Sequence, residues 1–118
     1  MNHEAFNRVL QTQVEISTRI LASKSLEYAT EDRLHNFKVA AELQGTTPKA
    51  ALAGMMCKHT VSIYDMCISG KEYPFEMWSE KITDHINYLL LLKAIIVDSR
   101  EGLYERAALI NYSDEESA

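Results

Sequence analysis

The stretch Tyr88-Leu-Leu-Leu-Leu-Lys-Ala-Ile-Ile-Val97 decides the fold. It holds one charged residue, Lys93, and neither Gly nor Pro. Wound as a helix it is apolar on nearly every side, so its middle needs cover from other helices or from a second subunit. Extended in both directions, it belongs to the longest helix of the chain, from about Phe75 to Arg100. That helix is the expected centre of the fold.

Working back from it, a connector from Lys71 to about Pro74 follows Gly70, which ends an earlier helix. Thr47-Pro48 starts that helix, with a hydroxyl at the N-cap and proline at the first helical position. Its apolar face is Leu52, Met55, Met56, Ile63 and Met66. Before it, a short helix from about Arg33 to Gln44 is stopped by Gly45 as a C-cap. The polar stretch from Ser23 to Asp32 has no clear period and is expected to form an ordered loop. The chain opens with an amphipathic helix from about Glu4 to Ala22, where Phe6, Leu10, Val14 and Leu21 recur at helical spacing. Beyond the long helix, a short helix at about Leu103 to Ile110 precedes an acidic tail, Asn111 to Ala118. The expected architecture is all-α, one domain over residues 1–110 with four to five helices, a flexible tail at 111–118, and assembly as a homo-oligomer.

Composition agrees. Four Gly and two Pro among 118 residues leave little punctuation for the turns of a β fold. The 47% hydrophobic content excludes a disordered chain, and 17 acidic against 12 basic residues gives a net charge of −5, the wrong sign for a DNA-binding surface. Asp114, Glu115 and Glu116 lie in the tail, so residues 1–113 carry only −2. Such a body need not repel an anionic ligand. Cys57 and Cys67, on one helix, point about 80 degrees apart and are expected as reduced thiols. There is no run of 18 apolar residues, and the start MNHEAFNR has no leader character, so the expectation is a cytoplasmic protein without membrane contact.

Three polar clusters interrupt these apolar patterns. On the long helix Glu80, Asp84 and Asn87 fall within about 60 degrees of one another, so two carboxylates can converge on Mg²⁺ or Mn²⁺ with an amide one turn further in. Solvated acids suiting the helix dipole are the bland account of Glu80; Asp84 and Asn87 lie nearer the enclosed section. On the preceding helix His59 points into the middle of the apolar face, where imidazole demands a partner, most commonly as a core histidine with one hydrogen bond. Lys58, Ser62 and Asp65 lie on its flank as a cation, a hydroxyl and a carboxylate. The third cluster is Glu31-Asp-Arg-Leu-His-Asn-Phe37, following Lys24, Glu27 and Tyr28. There Leu34, Phe37 and Ala41 should face the core while Asp32, His35 and Asn36 project away, with Asp32 an N-cap in the simplest account. Lys24 and Arg33 suit phosphate, and Tyr28 can stack on a base. No glycine-rich phosphate loop, G-x-S-x-G elbow, H-E-x-x-H or paired C-x-x-C is present.

Taken together, Lys24-Ser-x-Glu-Tyr28, Asp32-Arg-Leu-His-Asn-Phe37, Lys58-His59 with Ser62 and Asp65, and Glu80-Lys-x-x-Asp84-x-x-Asn87-Tyr88 resemble small bacteriophage and prophage proteins of the nucleotide-modification-associated domain. The resemblance spans roughly Lys24 to Lys93. More distantly, Glu80-x-x-x-Asp84 is similar to the second acidic motif of the all-α NTP pyrophosphohydrolases, the MazG and dimeric dUTPase-like proteins. That likeness implies a Mg²⁺-dependent hydrolase of a nucleoside triphosphate or modified nucleotide. The metal would sit on Asp65, Glu80 and Asp84, and His35 or His59 would orient or activate water. Lys24, Tyr28, Arg33, Asn36, Lys58 and Asn87 would hold the nucleotide. The first helix motif departs from that family, offering His59 and Asp65 in place of clustered glutamates. The departure favours the alternative, a non-catalytic protein that sequesters a nucleotide signal of host defence. A third reading is an interaction module built on the apolar helix and acidic tail.

Overall fold

A computed structural model describes residues 1–24 and 31–99. Four helices account for 83% of them, with no strand. They are α1 (His3–Lys24), α2 (His35–Gln44), α3 (Pro48–Ile68) and α4 (Phe75–Asp98). The fold is an all-α helical bundle. The loop expected around Tyr28, the short helix expected at about 103–110 and the tail expected to be flexible at 111–118 lie outside the described residues.

Local chemistry sets the helix ends. Asn2 Oδ1 accepts from the Ala5 N–H at 2.8 Å, capping α1. Thr47 Oγ1 accepts from Ala50 N–H at 3.3 Å, with Pro48 directly after it. Gly45 closes α2 at φ 64°; its N–H reaches Glu42 O at 3.2 Å and the Thr46 N–H reaches Ala41 O at 2.9 Å, the paired bonds of a Schellman end. Asp32 is not the N-cap of α2. It sits two residues before Leu34, whose N–H its Oδ1 accepts at 2.9 Å, and its carbonyl takes the His35 N–H at 3.1 Å. The carboxylate therefore turns the chain into the helix from two residues before the cap position, Leu34.

α4 packs against α3 and α1, and α2 lies on α3. The buried cluster is Leu34, Phe37, Leu52 and Ile95, with Met55, Met56, Tyr88, Leu91 and Leu92 packed on it. As expected, Leu34, Phe37 and Ala41 face inward together. The apolar run of α4 is less covered than its composition demands. Within Tyr88–Val97 only Ile95 is buried, while Leu89 and Leu90 remain 48% and 45% exposed. Neighbours on two flanks cannot close every side of a helix that is apolar all round.

α1 is held differently. Gln13 Nε2 donates to Thr83 Oγ1 at 2.9 Å and to Ser17 Oγ at 3.1 Å, and both hydroxyl residues are buried. Its N-terminal half leaves Phe6, Val9, Leu10 and Val14 exposed. The radius of gyration of 16.8 Å exceeds the about 12–14 Å of a compact chain of this size. Cys57 and Cys67 are both free and exposed. Among the described residues no helix is long and apolar enough to cross a membrane.

Candidate functional site

A cleft of about 350 Å³ opens where the end of α1, the start of α2 and the middles of α3 and α4 meet. This is the lower end of the range for small-molecule sites. Six residues singled out in the sequence line it: Lys24, Arg33, Asn36, His59, Asp84 and Asn87. Phe37, Met55, Tyr88 and Leu91 supply apolar and aromatic wall.

Each polar residue arrives there for a local reason. Lys24 is the last residue of α1, and Asn36 is in the first turn of α2. Arg33 lies in the turn between them, where its Nη2 donates to the Leu21 carbonyl at 3.1 Å and ties that turn to the C-terminal end of α1. These side chains make one side of the cleft cationic and amide-bearing. The other side comes from α3 and α4. His59 is half-buried, its ring centroid 5.0 Å from that of Tyr88 at an interplanar angle of 43°. It is therefore a wall of the cleft and not a residue sealed in the core. Asp84 is half-buried and makes no hydrogen bond or ion pair among the described residues. Asn87, one turn on, is 6% exposed, and its Oδ1 is buried with no hydrogen-bond partner.

An unsatisfied buried carbonyl costs about 1–3 kcal/mol, and Asn87 is one of the residues that line the cleft. The arrangement suits a polar ligand that brings its own N–H or O–H groups to α4 and its negative charge to Lys24 and Arg33.

Other residues picked from the sequence lie elsewhere. Lys58 and Asp65 line a separate, open groove with Ser62, Tyr73 and Lys81, so the expected cation, hydroxyl and carboxylate do share a flank, but away from the cleft. Glu80 is exposed in a groove between α1 and the start of α4, beside Ile16 and Phe75; Asp84 borders this groove as well as the cleft. The acids Asp65, Glu80 and Asp84 thus do not come together, and among the described residues no three His, Cys, Asp or Glu side chains are placed to share a metal. Asp65 lies on the flank of α3 that lines the separate groove and not the cleft. His35 is half-buried at the first position of α2 and is not part of the cleft wall. Tyr28 lies outside the described residues.

Sequence reasoning gave no role to Tyr88, which reads as the start of an apolar run. Its spacing of four from Asp84 was the available signal. A second cavity, about 410 Å³, lies between Leu34, Thr47, Pro48 and Ile95. At its edge Lys38 Nζ meets Asp98 Oδ2 at 3.1 Å and Asp32 Oδ2 at 2.7 Å. The hydrogen bond to Lys38 holds the Asp32 carboxyl below its ordinary range, and the bonds to Asp32 and Asp98 raise the Lys38 ammonium above its own. These charges already satisfy one another, unlike the Asp84 carboxylate of the α1–α4 cleft. No family model, curated protein or solved structure matches the chain.

Proposed function

We propose that the chain binds a small phosphate-bearing ligand of the nucleotide class in the α1–α4 cleft and holds it without turnover. The observation that carries this is the buried, unpartnered Oδ1 of Asn87 in a cleft that also holds Lys24, Arg33 and the uncompensated Asp84. Lys24 and Arg33 meet the phosphate, Phe37, Tyr88 and His59 flank a flat ring, and Asp84 and Asn87 take its donors. The resemblance to phage nucleotide proteins supports the same class, in a host cytoplasm, with sequestration of a defence signal as its biological use. Among the described residues, Asp65 lines a groove separate from that of Glu80 and Asp84, and the three do not fit one shared Mg²⁺.

Calorimetry over a panel of nucleoside mono- and triphosphates, with and without Mg²⁺, followed by chromatography of the recovered ligand, tests the reading. The expected result is saturable binding, intact ligand, and at least about tenfold weaker binding by Lys24→Glu, the order of one lost charge-assisted contact. Pyrophosphate release that disappears in Asp84→Asn would instead make the protein a hydrolase. Absence of binding to every nucleotide would overturn the proposal.

We also propose that the chain pairs with a second copy of itself through the N-terminal half of α1. Phe6, Val9, Leu10 and Val14 are 49–64% exposed on one helix face, and only seven apolar residues are buried among the described residues, a thin core for its length. An exposed contiguous apolar face of this kind marks an interaction surface. Sedimentation equilibrium should give a mass that rises with concentration toward a multiple of 13.4 kDa.

A further inference from the structure

Asp84 and Asn87 are three residues apart on α4, share one side of that helix and both line the cleft. The carboxylate presents two acceptors and Asn87 Oδ1 a third, and neither residue's oxygens are engaged by the protein among the described residues. A ligand edge that satisfies them must place several donors side by side. Resting on the nucleotide reading above, we infer that the cleft selects guanine. Asp84 accepts from the ring N1–H and the 2-amino group, and Asn87 Oδ1 accepts the remaining amino hydrogen.

Chemistry separates the bases. Guanine alone carries a ring N–H next to an exocyclic amine on its pairing edge. Adenine and cytosine set an acceptor nitrogen beside their amine, which faces the carboxylate lone pair to lone pair. Uracil and thymine have one N–H between two carbonyls, and hypoxanthine keeps the N–H but lacks the amine. A site built around acceptors rejects ligands that leave them unpaired. A ribose diol also offers two donors, but the same acceptors stand beside the rings of Tyr88 and His59, whose centroids are 5.0 Å apart. Flat aromatic walls belong with a stacked base.

The test is calorimetry on the full chain with GMP, dGMP, IMP, AMP, CMP and UMP. The expected result is GMP at least about tenfold tighter than IMP or AMP, and dGMP within about threefold of GMP. Asp84→Asn, which exchanges one acceptor oxygen for a donor, should invert the preference toward XMP, whose C2 carbonyl replaces the amine. Equal affinity for all bases, or preference for AMP or a pyrimidine nucleotide, overturns the guanine assignment while leaving nucleotide binding intact. Loss of dGMP binding with GMP retained places Asp84 on the ribose and overturns it too. Binding of none of the six overturns the nucleotide reading itself. The wild-type panel decides the matter even where Asp84→Asn fails to fold.

Discussion

The two ends of this bundle are held by different forces. In the α2–α3–α4 part, Leu34, Phe37, Leu52 and Ile95 bury one another, and the contact is apolar. α1 contributes a single buried residue, Ser17, and is tied to α4 through Gln13 and the buried Thr83. Apolar burial is strong and insensitive to small rotations, whereas a hydrogen bond fixes a register while adding little net stability. The cleft lies across the join, with Leu21 and Lys24 on α1 and the remaining lining on the other three helices and the turn before α2. Its shape therefore depends on the weaker attachment.

The sharpest contrast comes from truncating one leucine on each side. Leu52 is 0% exposed, so Leu52→Ala should cost about 2–5 kcal/mol. Leu10 is 49% exposed, and Leu10→Ala at low protein concentration should stay within about 0.5 kcal/mol. Urea unfolding measures both, and equal losses would break the division between a packed part and an open one. At high concentration Leu10→Glu should weaken self-association at least about tenfold in sedimentation while leaving the far-ultraviolet dichroism of the monomer unchanged. An unaltered association constant would remove α1 from the interface.

The next effect is smaller and sits at the join. Thr83→Val removes the acceptor of the 2.9 Å bond from Gln13, which retains Ser17 as a partner. The expected loss is about 1 kcal/mol, together with weaker ligand binding, although Thr83 does not line the cleft. A double-mutant cycle with Gln13→Leu should return a coupling of about 0.5–1.5 kcal/mol. Zero coupling would show that this hydrogen bond does not position α1.

The sequence reveals these parts unequally, and the reason is the range of each signal. Thr47-Pro48 and Gly45 state helix ends within a few residues, so α3 started and α2 stopped where they were expected. α1 ran two residues past its expected end, to Lys24, which carries that lysine into the cleft wall. His59, Asp84 and Asn87 were legible as polar residues out of place on apolar faces. Asp65 and Lys58 were grouped wrongly with them, because helical spacing fixes which residues share a face but not which neighbour that face meets. Lys38 and Asp98 are 60 positions apart and nothing local joins them, so their ion pair was invisible. The exposure of Leu89 and Leu90 was equally hidden, since composition states that a helix needs cover without saying who provides it.

The smallest effect concerns Lys38, which links the turn before α2 to the end of α4 through Asp32 and Asp98. All three side chains are exposed to solvent by more than two-fifths, and surface pairs of this kind add little. The sign of their pH dependence is nonetheless fixed. Asp32 titrates lower in the folded chain than its ordinary 3.8, so its contribution is complete above that value and is lost as pH falls through the folded pKa. Lys38 titrates above its ordinary 10.5, so its contribution is complete below that value and is lost as pH rises through the folded pKa. Lys38→Met should therefore lower Tm slightly and evenly between these limits, with the difference from wild type shrinking below about pH 4 and above about pH 10. Added salt should shrink it across the whole range, because the pair is screened by mobile ions. A difference that instead peaks at acid pH would mean that Lys38 acts by packing its alkyl stem over Leu34 and Ile95, and the turn would then belong to the apolar half of the molecule.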